Sequence, residues 1–152
     1  MKIGVFYASM SGNTEAIADI ITEELKDQNH DVCLEDFMSV QSASELLNYD
    51  LTFIGMYTWG DGDYPDECLD MIEEIEQLDL EKHPFAIFGS GDTSYPEFCG
   101  ALDQLQSLIE EQGGSVVGEP LKIEFNPEPA NEAAIKKFVS EALMFQDLKE
   151  SC

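Results

Sequence analysis

Residues 5–21 read VFYASMSGNTEAIADII: an apolar run stops, small and polar residues follow, and apolar residues then return at helical spacing. A strand, a hydroxyl-rich turn and a helix start are thus joined without a linker. The same βα succession continues along the chain. Lys2–Tyr7 is a short apolar run, and residues 14–26 place Ile17, Ala18, Ile21 and Leu25 on one helical face. Residues 31–36 alternate as a half-buried strand with Cys33 turned to the core, residues 44–48 suit a short helical turn, and residues 51–57 form a second buried run. A helix is predicted over 66–78, with Leu69, Ile72, Ile75 and Leu78 spaced three apart, then a strand over 85–89. Residues 98–111 read as a helix with Leu102, Leu105, Leu108 and Ile109 inward, stopped by Gly113 and Gly114. The last strand region, Val116 and Val117 and then 121–125, is interrupted by Gly118 and Pro120, and Asn131 opens a closing helix to residue 145. Five such units with near-continuous apolar strands predict a parallel sheet covered by helices on both faces. Open sheets of this kind bind ligands beyond the carboxyl ends of their strands, so the loops over 8–13, 58–64 and 90–99 are the ones to read.

Composition narrows the partners. The 152 residues predict one domain spanning 1–152, and Asp plus Glu 32 against Lys plus Arg 7 gives a net charge of -25. Nucleic acid and anionic membranes are poor partners for such a surface. No Arg occurs, so a bound anion must be held by backbone N–H groups, hydroxyls or one of the scattered Lys. Cys33, Cys68, Cys99 and Cys152 show no metal-type spacing, and only His30 and His83 could join them, so reduced thiols and no metal site are expected. Met1 leads into the first strand without a secretory pattern, and no apolar run approaches membrane-spanning length, which predicts a cytoplasmic protein.

The loops carry the chemistry. Ser9, Ser11 and Thr14 supply hydroxyls around Gly12 and Asn13 just before a helix, where free N–H groups and the positive end of the helix dipole favour a phosphate. Read alone, the loop suits an ordinary turn capped by Asn13 or Thr14 equally well. Neither GK[ST] nor GxGxxG is present, which removes the nucleotide P-loop and the Rossmann fingerprint. The second loop, YTWGDGDYP over 57–65, holds the only Trp, and Gly60 and Gly62 allow close backbone approach to a ligand. The third, GSGDTSYPEFCG over 89–100, again sets one aromatic, Tyr95, among small polar residues. Singly, Trp59 and Tyr95 read as loop anchors. Together, beside a phosphate-type turn, they outline a slot for a flat ring with a phosphate tail.

With these three ordered motifs the chain resembles the flavodoxins over about residues 2–145, in their short-chain form because the last strand region lacks a long insertion. The resemblance implies a flavodoxin-like three-layer α/β sandwich, its five-stranded parallel sheet ordered 2-1-3-4-5. It implies that Ser9, Met10, Ser11, Gly12, Asn13 and Thr14 wrap the phosphate of FMN, Met10 through its backbone N–H. Trp59, following Thr58 of the same site, would cover the inner face of the isoalloxazine and Tyr95 the outer face. Gly60 matches the glycine whose carbonyl accepts the proton gained at flavin N(5) on one-electron reduction. Asp61, Gly62, Ser90, Gly91, Asp92, Phe98 and Cys99 would complete the ring edge. Tyr57 departs from the pattern, since many members have a small hydroxyl residue there. Phosphatases of this topology need a first-loop Cys and an Arg, and response regulators need paired acids at the first strand exit; both are missing.

Function follows as an expectation: a low-potential one-electron carrier, not an enzyme, shuttling electrons between an NADPH-dependent flavodoxin or ferredoxin reductase and acceptor oxidoreductases. Asp61, Asp63, Asp66, Glu67, Asp70, Glu73 and Glu74 run from the second loop along the next helix, with Asp92 and Glu97 in the third loop. A charge run is commonly only a solvated face, but bordering the flavin edge it suits docking of basic redox partners by a monomer. An FMN-dependent quinone or NAD(P)H oxidoreductase is the alternative, and a non-redox acidic module would be colourless.

Overall fold

The computed structural model describes residues 2–8, 12–57, 64, 68–80, 82–91, 100–124 and 131–151. Its elements are β1 Lys2–Tyr7, α1 Asn13–Asp27, β2 Asp31–Asp36, β3 Leu51–Gly55, α2 Leu69–Ile75, β4 Pro84–Gly91, α3 Gly100–Glu111, β5 Ser115–Val116, β6 Leu121–Glu124 and α4 Glu132–Ser151. Two 3-10 turns, Phe37–Ser39 and Ala43–Leu47, fill the β2–β3 connection. The second is held by a capping box between Ser42 and Glu45.

The strands pair in parallel in the order β2-β1-β3-β4-β5, as predicted. The fifth position is shared by two segments. β5 pairs with Pro84 and Phe85 at the start of β4, and β6 pairs with Phe88, Gly89, Ser90 and Gly91 at its end. Gly118, at φ 71, lies between them. Its left-handed backbone, with Pro120 two residues on, keeps the two segments from joining into one strand.

Apolar layers lie on both sides of the sheet. Ile17, Ala18, Ile21 and Leu25 of α1 meet Ile135, Phe138, Val139 and Ala142 of α4 over one face, while α2 and α3 cover the other with Ile72, Ile75, Leu102 and Leu105. Phe138 makes edge-to-face contacts with Phe53 at 5.7 Å and Phe88 at 6.4 Å, tying α4 to β3 and β4. Two helices end in the same way. Asn29 (φ 65) after α1 and Gly113 (φ 87) after α3 are left-handed, and His30 and Gly114 N–H reach back to the carbonyls of Leu25 and Ile109.

Several boundaries differ from the sequence reading. β4 runs through Ser90 and Gly91, because β6 supplies a partner for its far end. The closing helix continues to Ser151, with neither Gly nor Pro after residue 145 to stop it. α2 covers only Leu69–Ile75, and Leu69 is 45% exposed. Residues three apart fall about 60° short of a full turn at each step, so Leu69 and Leu78 cannot share a face over three steps. Met71 and Cys68 fill the inward side instead. Cys33 is only half-buried because β2 is an edge strand, where Leu34 is 36% exposed.

Candidate functional site

The order 2-1-3 places the reversal of the chain's direction of travel between β1 and β3, with α1 on one face and α2 on the other. The crevice expected for a ligand therefore opens at the carboxyl ends of these strands. Their ends are locked together: Ala8 N–H donates to the Gly55 carbonyl at 2.9 Å, and Met56 N–H to that of Phe88 at 3.2 Å. Gly89 has no room for a side chain, since a Cβ there would stand 2.3 Å from the Met56 carbonyl oxygen. Close approach of β3 to β4 at this level thus requires glycine.

The first loop ends at Gly12, left-handed at φ 89, and α1 begins at Asn13. The N-cap position falls on Gly12, one residue before Asn13 and two before Thr14. Gly12 holds the N-cap position, its carbonyl accepting from Ala16 N–H at 3.0 Å, and has no side chain to satisfy the first-turn N–H groups. Thr14 is fully buried and its Oγ1 lies 2.7 Å from Ser90 Oγ, itself 4% exposed. The sequence reading puts Ser90 at the ring edge; its side chain instead sits against the helix start. Gly91 ends β4 beside it.

These features suit a phosphate group. A positive-φ glycine, a helix start without a side-chain cap and two buried hydroxyls form a neutral donor set, as the lack of Arg requires. Ser9, Met10, Ser11, Thr58, Trp59, Gly60, Asp61, Gly62, Asp92, Tyr95, Phe98 and Cys99 lie outside the described residues, as do Asp63, Asp66 and Glu67 of the acidic run. Of that run, Asp70, Glu73 and Glu74 are exposed on α2. Glu74 also has a structural role, since its Oε1 accepts from Ala43 N–H at 3.4 Å.

Tyr64 is a residue to which the sequence reading assigns nothing. It is half-buried and lines a groove of about 470 Å³ with Glu76, Asp103, Gln104, Ser107, Leu108 and Glu111. Burial, reinforced by Glu76 and Glu111, pushes its phenol up to about 12. The pattern GDGDYP gives no hint that helix α3 supplies this environment. Among the described residues no group of side chains could hold a metal ion, and no helix is long and apolar enough to cross a membrane.

Comparison with known proteins agrees with this architecture. The flavodoxin family model matches residues 5–138. Probable flavodoxin 2 of Bacillus subtilis (strain 168) is 46% identical over 137 residues, 90% of this chain and 91% of the relative. Probable flavodoxin 1 of the same organism is 48% identical over 128 residues, 84% of this chain and 80% of the relative. The crystal structure of oxidised Flavodoxin 2 from Bacillus cereus superposes with a TM-score of 0.89 at 41% identity, covering 95% of this chain and 99% of that one. A sequence and a fold that agree over nearly the whole chain place this protein in the flavodoxin family, the FMN-binding electron carriers that exchange electrons with redox partner proteins.

Proposed function

We propose that residues 1–152 act as one low-potential electron-carrying domain whose FMN phosphate is held by Ser9, Met10, Ser11, Gly12, Asn13 and Thr14. In this reading Thr58, Trp59, Gly60, Asp61 and Gly62 serve the inner side of the ring, Gly91, Asp92, Tyr95, Phe98 and Cys99 the outer side and edge, and Ser90 lies against Thr14. The observation that carries it is the meeting of Gly12, Thr14 and Ser90 at the carboxyl ends of β1 and β4, in a chain without Arg. Bound FMN supplies the redox chemistry; the protein supplies binding, orientation and charge. The net charge of -25 opposes further negative charge on the ring, and every 1.4 kcal/mol of such opposition lowers a one-electron potential by about 59 mV.

The partners are basic proteins: an NADPH-dependent flavodoxin or ferredoxin reductase as donor, and acceptor oxidoreductases. They dock on Asp61, Asp63, Asp66, Glu67 and Asp70 of a monomer. Exposure of Asp70 and Glu73 on α2 supports this surface. The reduced thiol of Cys33 is consistent with a cytoplasmic location.

An absorption spectrum of the purified protein, with mass spectrometry of the released ligand, tests the cofactor. Two separated one-electron steps are expected in an anaerobic reductive titration. Rapid reduction by NADPH alone, straight to the two-electron state, would favour a quinone reductase. Electron transfer with a basic reductase should slow as the Debye length falls from about 30 Å to 10 Å. Reversal of Asp66 and Glu67 to Lys should lower the association rate more than the same change at Glu141. Stopped-flow rates indifferent to salt and to both reversals would remove the docking surface.

A further inference from the structure

We propose that Ser90 is a positioning residue of the phosphate subsite: it donates its hydroxyl proton to Thr14 Oγ1 and so leaves the single Thr14 proton for a phosphate oxygen of the nucleotide. This rests on the FMN reading above and assigns the Ser90 side chain to the phosphate rather than to the ring edge.

Each hydroxyl carries one donor and two acceptor sites, so the Thr14–Ser90 pair has two protons, and their 2.7 Å contact uses one. Among the described residues the pair makes no other side-chain hydrogen bond. The second proton points out of the pair whichever way the shared one runs. A fully ionised phosphate only accepts, so a hydroxyl that touches it must donate. Position decides which of the two that is. Thr14 lies in the first turn of a fifteen-residue helix, two residues beyond left-handed Gly12, where N–H groups and the helix dipole draw an anion. Ser90 lies within β4, registered with Ile123 of β6. It meets Thr14 from a position braced by the sheet. A helical threonine divides between two side-chain rotamers, and a fixed donor against it selects one.

The test is binding of FMN and of riboflavin, which lacks phosphate, to the apoprotein, followed by flavin fluorescence and calorimetry. Ser90→Ala should weaken FMN about threefold to tenfold, the net value of one neutral hydrogen bond. Riboflavin should stay within the roughly twofold scatter of unrelated sites. Ser90→Ala added to Thr14→Val should cost nothing more than Thr14→Val alone, because the path through Thr14 is already gone. Ser90→Thr should restore binding, and the ³¹P resonance of bound FMN should move in Ser90→Ala and return in Ser90→Thr. If Ser90→Ala folds poorly, Ser90→Cys, which fills the space with a weak donor, carries the same comparison.

Equal loss of FMN and riboflavin, or additive losses in the double variant, would overturn the positioning role while leaving the FMN site intact. Wild-type apoprotein that binds neither flavin would overturn both.

Discussion

Two buried threonines, at opposite ends of the sheet, use their hydroxyls differently. At the amino end Thr52 donates to the Leu46 carbonyl at 2.6 Å and therefore accepts from His83 Nε2 at 2.8 Å. Its proton is spent inside the protein, fastening the second 3-10 turn and the approach to β4 onto β3. At the carboxyl end Thr14 meets another hydroxyl, and the pair keeps a proton beyond its own contact. One end is closed by backbone and imidazole, whereas among the described residues the other retains donor capacity. A fold of this kind can bury polar groups at both ends because each has a partner, but only unspent donors at one end make a site.

Phe88 sits between the two ends, fully buried, its ring over Gly55 and against Phe138. Phe88→Ala should cost about 3 to 5 kcal/mol in urea unfolding and depress both ends together. Unchanged stability would mean that the layers do not support the ends at all.

Thr52→Val should come next, at about 2 to 4 kcal/mol, since it leaves the Leu46 carbonyl and the His83 donor without this partner. FMN affinity should be unaltered. A loss of FMN binding matching the loss of stability would dissolve the distinction between the ends.

Thr14→Val inverts the pattern. FMN binding should weaken by about 1.5 to 3 kcal/mol, the value of a hydrogen bond to a charged group, with riboflavin little affected and apoprotein stability less reduced than in Thr52→Val. In the double variant Thr14→Val/Thr52→Val the stability changes should add to within about 0.5 kcal/mol, as expected of sites without shared partners. A larger coupling in thermal or urea unfolding would show that the sheet transmits strain between its ends.

The smallest effect concerns Tyr64 and high pH. The folded-state phenol, pushed up to about 12, holds its proton after the unfolded chain begins to lose it near 10. Its contribution to stability is complete below about pH 10 and is lost as pH rises toward 12. Tyr7 and Tyr49 are also raised, chiefly by burial, so the wild type will retain a slope from them. Subtracting the urea midpoints of Tyr64→Phe from those of wild type over this range isolates the Tyr64 part, and a flat difference would refute it.

The sequence by itself determined the alternation of strands and helices, the identity of the ligand-edge loops and the neutral character of the anion site. These are local properties. Ile17, Ala18, Ile21 and Leu25 mark a helical face whatever packs on it, continuous apolar runs mark doubly covered strands, and a chain without Arg must bind phosphate with neutral donors or Lys. Helix ends were less legible: Asn29 acts as a left-handed stop where glycine is the usual signal. What only the tertiary structure decided depends on residues far apart in the chain. β4 extends through Gly91 because β6 lies beside it, Leu69 faces outward because α2 turns about its own axis, and Glu74 is drawn to Ala43. Ser90 meets Thr14 across 76 positions, a contact without any sequence period, because parallel strands and their crossovers bring loop ends together from separate units.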